Sequence, residues 1–369
     1  MRNILFYQGK TQYSNTGDAL INKSLIAHFR SKAKVYFSDR NIPKNYLEQL
    51  ELLDSELTGL TGISFVFHTI LYSLKSTFKP DIKVYYLATV PGHQFGAGFK
   101  NAVKQLCLFF MYMLLYISGV KIIKIGFSIG PIDRAASILE KMKSFFIPYY
   151  YVRDPVSLKL VHDIGIKKAK FFPDLAWTYS VPLINNVADK VIFISFRTQV
   201  LSGNGVDNYS KELEDKLELL LNSCFIDYKI VIGYQVEEDK DFCKYLYNKL
   251  KTSRDVLFIE EQISLSDAHL YAQFRYLLTN RLHVGLLGFQ YGSLPLILSD
   301  VKKHLKIKGI FEDAKSDHLL LDIKEENSKL VIDCNKIMKN YDINYKDLVS
   351  EKEKYKLKSV EIINNIFSN

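Results

Sequence analysis

Cysteine is scarce in this sequence, and no cysteines have the spacing of a metal or redox site. The chain of 369 residues has four cysteines, Cys107, Cys224, Cys243 and Cys334, and none belongs to a CxxC pair. This excludes a disulfide-stapled secreted scaffold and a cysteine zinc site, and it indicates a reducing compartment. Nine prolines and 18 glycines exclude a fibrous or low-complexity chain.

The sequence also lacks the short motifs of several enzyme classes. It contains no HExxH and no Walker A motif, so metalloprotease and NTP chemistry are disfavoured, and serine-hydrolase chemistry is not expected either. The first residues, MRNILFY, lack the layout of a signal peptide and are expected to form a strand. Together with the cysteine content, this predicts a cytoplasmic protein.

Acidic side chains are outnumbered, which gives the chain a formal net charge of +9 from 49 basic and 40 acidic residues. Such a balance suits nucleic acid, phosphorylated metabolites or an acidic membrane surface. No zinc finger or RNP motif is present and the lysines are spread along the chain, so we expect no nucleic-acid partner. A generally basic surface is the alternative interpretation.

The sequence is rich in short apolar runs, which alternate with amphipathic stretches along the whole chain. Hydrophobic residues make up 48% and charged residues 24% of the chain, a globular composition. The alternation is typical of βαβ units with parallel sheets. Strands are predicted at 3–7, 34–37, 82–88, 121–127, 149–152, 170–172, 191–196, 228–232, 256–259, 276–279 and 295–298. Helices are predicted to begin near Asp18, Phe99, Arg134 and Pro155, and to cover 208–223, 238–251, 264–274, 282–290 and 351–367.

The length fits two domains of ordinary size. The clearest break is the polar stretch 178–189, which contains a proline and precedes a fresh strand. We expect an N-terminal α/β domain at 1–180, a C-terminal α/β domain at 189–345 and a C-terminal helix at 346–369. The predicted fold is α/β, with two Rossmann-like open-sheet domains facing a central cleft as in GT-B glycosyltransferases. Ligands are expected beyond the carboxyl ends of the strands.

One segment, residues 105–119, is apolar on nearly all sides for about 14 residues, short of the roughly 20 needed to span a bilayer. It predicts either a fully buried crossover helix or a helix lying on a membrane surface. Nearby lysines, Lys100 and Lys104 among them, favour an anionic surface in the second case. Both interpretations stay open at this point.

Polar residues follow the predicted strands of the first half. Asn15, Gly17 and Asp18 lie between the first strand and the first helix, where they present backbone N–H groups and a carboxylate to a ligand, or Asp18 simply caps the helix. The stretch 91–98 has three glycines and is expected to be a loop that allows close backbone approach. Residues 126–131 are expected to end a strand in a turn.

Arginines also follow strands. Arg153 ends a strand and is expected to point towards the cleft, and Asp174 either pairs with it or closes a turn. Arg197 offers a planar fork of donors for a carboxylate or phosphate, or a structural salt bridge. Arg281 and His283 lie at the start of a helix, where the dipole favours an anion, so an anion clamp and a titratable group come together.

Four short motifs occur in order along the chain: Asn-x-Gly-Asp-x-x-Ile at 15–21, Ser-x-Gly-Pro at 128–131, Arg-Asp-x-x-Ser at 153–157 with Pro-Asp at 173–174, and Arg-Leu-His at 281–283. This ordered set resembles the polysaccharide pyruvyl transferase family over about residues 1–310. The stretch 91–98 departs from the family, where many relatives carry consecutive glycines, and this bears on acceptor specificity.

The resemblance implies a GT-B-like enzyme that transfers the enolpyruvyl carbons of phosphoenolpyruvate to a sugar as a ketal, with no metal and no organic cofactor. It implies His283 as the acid–base group, Arg281 as a donor clamp and Asp18 as the residue that orients or deprotonates the acceptor hydroxyl. The N-terminal domain is expected to bind the acceptor and the C-terminal domain the donor. Substrate contacts are expected from Arg281, Leu282, Arg197, Arg153, Asn15, Gly17, His93, Ser128 and Asn280.

The expected partners are phosphoenolpyruvate and a saccharide of a cell-surface polysaccharide precursor, either free or on a polyprenyl carrier at the inner face of the cytoplasmic membrane. Two other interpretations stay open. One is a GT-B glycosyltransferase that uses a nucleotide sugar, and the other is a non-catalytic saccharide-binding partner in polysaccharide assembly.

Overall fold

A computed structural model of the chain describes residues 2–79, 81–88, 92–96, 98–181, 190–198 and 206–368; at 93–96, 131 and 206–208 it describes the backbone alone. The chain forms two compact units. The N-terminal unit comprises Met1–Tyr13, Asp18–Leu175 and Tyr355–Asn369, and the C-terminal unit comprises Ser14–Gly17 and Ala176–Lys354. The domain limits expected from the sequence stay a prediction. Residues 182–189 of the expected linker lie outside the described residues.

The N-terminal unit contains an open sheet in which every pairing is parallel. Its strands are β1 Arg2–Tyr7, β2 Lys34–Phe37, β3 Ile82–Leu87, β4 His93–Gly96, β5 Lys121–Ile132, β6 Tyr149–Val152 and β7 Lys170–Phe171. The order is β2-β1-β3-β5-β6-β7, with β4 paired to β5. The central strands are apolar on both faces because helices cover both sides of a parallel sheet.

The helices of this unit connect successive strands. They are α1 Thr16–Arg30, α2 Lys44–Gln49, α3 Gly62–Ser76, α4 Phe99–Ile117, α5 Arg134–Ser144 and α6 Pro155–Asp163. Four of them begin where the sequence predicts. Asp154 caps α6, since its side chain accepts from Ser157 N at 2.7 Å and Pro155 takes the first helical position. Helix α3 is not predicted by the sequence analysis.

Two predictions around residues 91–131 are wrong. His93–Gly96 forms the strand β4 rather than a loop, and 126–131 continues β5 rather than ending it in a turn. The physical reason is Gly126, which has φ +73°, and a register shift between Lys124 and Phe127. The glycine allows the strand to bend without ending, and β5 then pairs with β4. Pro91 and Ala97 lie outside the described residues.

Helix α4 contains the apolar segment 105–119. Tyr112 and Leu115 are buried, but Phe110, Leu114 and Ile117 are about half exposed or more. The interpretation as a fully buried helix is therefore wrong: one face packs on the sheet and the other is exposed. Among the described helices, none is long and apolar enough to cross a membrane.

The C-terminal unit has a second open sheet, of order β10-β9-β8-β11-β12-β13, and all its pairings are parallel. Its strands are β8 Val191–Ser195, β9 Lys229–Ile232, β10 Val256–Phe258, β11 Tyr276–Thr279, β12 Leu294–Ser299 and β13 Leu320–Asp322. Its helices are α7 Leu175–Thr178, α8 Val206–Ser223, α9 Lys240–Leu250, α10 Leu282–Gln290, α11 Leu305–Asp313, α12 Asn327–Lys339 and α13 Tyr341–Ser368.

Two helices of the second half differ from the prediction. The expected helix at 264–274 is a 3-10 helix at Ala268–Gln273, and the expected final helix is part of α13, which is 28 residues long. Residues of α13 up to Lys354 belong to the C-terminal unit and those from Tyr355 to the N-terminal unit. Strand β13 and helices α11 and α12 are not predicted by the sequence analysis.

Candidate active site

The candidate site is built at the carboxyl edge of the C-terminal sheet. Arg197 lies two residues beyond β8, Arg281 two residues beyond β11, and His304 five residues beyond β12. Because these strands are parallel and adjacent, their carboxyl ends meet at one edge, which is where open α/β sheets bind ligands. Three predicted strand ends thus bring cationic and titratable groups together within one unit.

Two buried side chains tie the ends of β8 and β11 together. The Asn280 side-chain oxygen accepts from Arg197 N at 2.9 Å, and its amide nitrogen donates to Arg197 O at 2.8 Å and to the Tyr209 hydroxyl at 2.9 Å. The Thr279 hydroxyl donates to Ser195 O at 2.6 Å and accepts from Arg281 N at 3.0 Å. Asn280 is fully buried, so its geometry is that of a positioning residue for Arg197.

The two arginines are close enough to influence one another. Burial, and after it the charge of Arg281, lowers the pKa of Arg197 to about 10. Arg281 forms an ion pair with the buried Asp239, whereas Arg197 forms no ion pair with any carboxylate in the described ranges. The predicted alternative of a structural salt bridge at Arg197 is therefore not found there. Two cations and one carboxylate leave an edge that favours an anion.

His283 is the second residue of α10, and Arg281 stands at the N-cap position of the same helix. The His283 ring lies directly against Gly17: a Cβ placed on Gly17 would come 2.2 Å from His283 Nδ1 and 2.8 Å from Cγ. Only a residue without a side chain fits there. Asn15 in turn accepts from Gly17 N at 2.9 Å. The structure thus brings Asn15, Gly17 and His283 together in the C-terminal unit.

The segment that carries Asn15 and Gly17 is fixed by further hydrogen bonds. The Thr16 hydroxyl donates to Ile263 O at 2.8 Å, and the Gln262 amide donates to Ser14 O. The capping role suggested for Asp18 is wrong, because Asn15 precedes the helix and accepts from its first turn. Asp18 is buried in the N-terminal unit and accepts from the Thr11 hydroxyl.

His304 is a site residue that the sequence analysis overlooks. It is 5% exposed, and its ring lies edge-on to Tyr209 with 5.7 Å between ring centroids. Neither ring nitrogen hydrogen-bonds within the part of the chain that the structure describes. Burial, followed by the charge of Arg197, lowers the pKa of His304 to about 4. His304 is therefore neutral at pH 7 and lies beside the candidate anion site.

The predicted site residues of the N-terminal unit form a separate buried network. Arg153 is 1% exposed and forms an ion pair with Asp174 at 2.9 Å, which confirms the pairing that the sequence suggests. It also donates to the Ser128 hydroxyl at 2.9 Å and to Gly92 O at 3.2 Å. Arg153 and Ser128 thus join β6, β5 and the turn before β4. Their predicted contact with substrate stays a prediction.

Two further predictions can be placed only in part. The side chain of His93 lies outside the described residues, although its backbone belongs to β4. Leu282 is buried in the first turn of α10.

Within the ranges that the structure describes, no three His, Cys, Asp or Glu side chains are grouped to hold a metal ion. The expectation that no cofactor is needed stays a prediction.

Asp239, Tyr209 and His304 are the residues of this edge that the sequence analysis missed. Asp239 has a signal in the sequence, since it follows β9 and so belongs to the same sheet edge. His304 also follows a strand, β12, but the residues between them make its place at the same sheet edge hard to recognise from the sequence. Tyr209 lies in the first turn of α8 rather than directly after a strand, and it has no such signal.

Solved structures of sugar enzymes share the fold. UDP-GlcNAc 2-epimerase from Neisseria meningitidis, bound to UDP-GlcNAc, is 12% identical with a TM-score of 0.60, and 100% of each chain is covered. Anabaena HepE, in complex with UDP and glucose, is 12% identical with a TM-score of 0.59 over 100% of this chain and 98% of that one. Thermobaculum terrenum O-GlcNAc transferase is 10% identical with a TM-score of 0.53 over 99% and 66%. The expected fold class, two open-sheet α/β units of the GT-B-like type, is confirmed.

The class of protein is therefore a GT-B-like α/β protein with a cationic edge on its second sheet. A family model described as polysaccharide pyruvyl transferase matches residues 15–292, which include Gly17, Arg153, Arg197 and His283. The chain belongs to the polysaccharide pyruvyl transferase family, as the motifs indicate. A search of curated proteins finds no match to the sequence.

The contact between Gly17 and His283 can be measured as a coupling energy. We expect Gly17→Ala to lower the free energy of unfolding by about 1–3 kcal/mol, because the new methyl group displaces the ring. In the double variant with His283→Ala, most of this loss should disappear, since only the His283 Cβ remains, at 3.0 Å. Thermal unfolding of the wild type, the two single variants and the double variant completes this double-mutant cycle. Additive effects would contradict the contact.

His304 should make stability depend on pH. Its folded pKa of about 4 lies below the roughly 6.5 of an unfolded histidine, so stability falls as the pH falls from 6.5 towards 4. The loss between pH 7 and pH 5 is roughly 2 kcal/mol. Urea unfolding of the wild type and His304→Gln at both pH values measures it. Equal pH dependence in the two proteins would show that His304 is not buried in its neutral form.

The ion pair of Arg153 and Asp174 should be essential to the N-terminal unit. Asp174→Asn leaves a guanidinium buried without its counter-charge, and we expect a loss of about 3–5 kcal/mol in unfolding free energy. Asp163→Asn is the matched control, because it breaks the exposed Lys159–Asp163 pair and should change little. Thermal unfolding of both variants measures the two losses. Equal losses in unfolding free energy would refute the essential role of the Arg153–Asp174 pair.

Proposed function

We propose that the protein transfers the enolpyruvyl carbons of phosphoenolpyruvate to two hydroxyls of a saccharide as a ketal. Membership of the polysaccharide pyruvyl transferase family supports the reaction class. The observation that carries the donor assignment is the pair Arg197 and Arg281 at the edge of the C-terminal sheet, of which only Arg281 forms an ion pair with a carboxylate. Phosphoenolpyruvate carries a carboxylate and a phosphate, the two anions that such a pair of planar forks fits.

The chemistry assigns a proton to each step. A proton is added to the methylene carbon of phosphoenolpyruvate, and one sugar hydroxyl adds to C2. A second hydroxyl then displaces phosphate from C2, so that two C–O bonds form and one breaks. The two hydroxyl protons account for the new methyl hydrogen and for the proton released with phosphate.

We assign the proton transfer to His283, because its ring is held in place by Gly17 and is on the same helix turn as Arg281. An imidazole can both give a proton to carbon and take one from a hydroxyl, so it suits general acid–base catalysis. Asp18, in the N-terminal unit, is proposed to orient or deprotonate the acceptor hydroxyl. The acceptor is proposed to be a sugar of a cell-surface polysaccharide precursor, free or on a lipid carrier.

A second candidate is a transferase that uses a nucleotide sugar. The observation in its favour is that solved relatives in fold were determined with UDP-GlcNAc, or with UDP and glucose. Incubating the protein with candidate saccharides and either phosphoenolpyruvate or UDP sugars distinguishes the two. Phosphate release that requires both phosphoenolpyruvate and a saccharide supports the proposal, and UDP release supports the alternative. A saccharide-binding protein would release neither product.

The proposal predicts which variants lose activity. His283→Ala should lower kcat by about 10²–10⁴-fold with little change in donor affinity, because proton transfer is lost. Arg281→Lys and Arg197→Lys should each raise the KM for phosphoenolpyruvate, since a lysine keeps the charge but loses the fork. His269→Ala is the matched control in the same unit, because His269 is an exposed side chain on a 3-10 helix. Near-normal kcat in folded His283→Ala would refute its role.

A further inference from the structure

Three helices of the N-terminal unit lie side by side on one face of its sheet. Helices α3, α4 and α5 make the crossovers from β2 to β3, from β3 to β5 and from β5 to β6. Crossovers that advance in one direction along a parallel sheet lie on the same face, because each is right-handed. Helix α4 packs beside both α3 and α5. The three helices therefore form one layer with a common outer surface.

Each helix carries a stripe of exposed, large apolar side chains at helical spacing. The stripes are Ile63, Phe67, Leu71, Leu74 and Phe78 on and just beyond α3; Phe99, Val103, Leu106, Phe110, Leu114 and Ile117 on α4; and Ile138, Met142 and Phe145 on and just beyond α5. Their members recur every three or four residues, so each stripe occupies one side of its helix. Their exposed fractions range from 38% to 89%.

These stripes are not needed by the core of the unit. A separate inner face of each helix packs on the sheet, with Phe65 and Thr69 buried on α3, Tyr112 and Leu115 on α4, and Ala136 on α5. A helix at the surface of a water-soluble domain has polar residues on its outer face. The outer faces of α3, α4 and α5 have apolar ones instead, and contiguous exposed patches of this kind mark interaction sites.

The charge around this face is almost entirely positive. Between Leu57 and Phe145 the sequence has ten basic and three acidic residues, which is seven of the nine net positive charges of the chain. The remaining residues carry 39 basic and 37 acidic side chains and are nearly neutral. The exposed cations on α3, α4 and α5 are Lys75, Lys100, Lys104, Arg134 and Lys141.

The carboxylate that α5 carries is withdrawn from the surface. Glu140 is buried and forms ion pairs with Lys124 at 2.5 Å and with Lys143 at 2.7 Å. Of the other two acidic residues, Asp133 caps α5 and Asp81 lies beyond the end of α3. The outer surface of the three helices thus combines apolar side chains with cations and presents no carboxylate of its own helices.

We propose that the outer stripes of α3, α4 and α5 form a docking face for an anionic lipid bilayer. Apolar side chains enter the boundary between headgroups and acyl chains while lysines contact anionic headgroups, and the two contributions add. A second copy of the chain fits this face less well, because self-association would bring the same cations together. The proposal does not depend on pyruvyl transfer.

The test is flotation of the full-length protein with liposomes. We expect binding to vesicles of phosphatidylcholine with phosphatidylglycerol at low salt, weaker binding at high salt and little binding to phosphatidylcholine alone. Phe67→Glu with Phe110→Glu should abolish flotation. Ile332→Glu is the matched control, since Ile332 is 64% exposed on α12 of the C-terminal unit. Circular dichroism establishes that each variant is folded.

A charge test separates this face from the overall charge of the protein. Lys100→Glu with Lys104→Glu should weaken binding by roughly 25-fold or more, at about fivefold for each lysine lost. Lys346→Glu with Lys356→Glu makes the same change in net charge on exposed positions of α13 and should bind like the wild type. Equal loss in both pairs would overturn the assignment to this face.

Two other outcomes would also overturn it. One is wild-type protein that stays at the bottom of the gradient at low salt with anionic vesicles. The other is a wild-type dimer in sedimentation that Phe67→Glu with Phe110→Glu converts to a monomer, while liposomes leave both proteins unbound. In that case the face is an interface between two copies of the chain.

Discussion

The hydrogen bonds that join the ends of β8 and β11 are the constraint on which the candidate site depends. Asn280 bonds to both backbone groups of Arg197, and Thr279 bonds to Ser195 O and Arg281 N. Adjacent parallel strands bring these residues near one another, but they do not fix the conformation of the chain beyond each strand. The buried amide and hydroxyl do so, because their donors and acceptors are all used within this edge. Two arginines are thereby held close together despite their mutual repulsion.

That repulsion gives the edge its chemical character. The lowered pKa of Arg197 reflects first its burial and then the charge of Arg281 beside it. A bound anion would relieve this repulsion, which supports the donor site proposed above. The same helix turn holds His283 against Gly17, and the neighbouring His304 stays neutral. The cationic pair, the proposed acid–base group His283 and the backbone around it are thus held in place in the free protein.

The sequence predicts where the strands lie better than it predicts where they end and with which strands they pair. Apolar runs such as 149–152 and 276–279 match the observed strands because both faces are buried there. The continuation of β5 is missed because a glycine at position 126 is typical of a turn. The sequence does not show that the residues after Gly126 pair with β4. Arg281 and His283 are found because they follow a strand directly. Asp239 and His304 are missed because several residues separate each of them from the end of the strand that it follows, β9 or β12.

The sequence analysis misses helix α3 for a different reason. The same reason explains why it leaves open whether α4 is buried or lies at a surface. Both helices have apolar residues on two faces, so their hydrophobic pattern lacks the single polar face that identifies a surface helix. Periodicity alone does not separate a helix buried on all sides from one that covers the sheet and also meets an apolar environment. The structure separates them, because Leu115 is buried while Phe110 and Ile117 are exposed. The excess of basic over acidic residues between 57 and 145 is the reason for proposing an anionic bilayer at the outer face, since cations beside apolar side chains complement anionic headgroups better than a second copy of the same face.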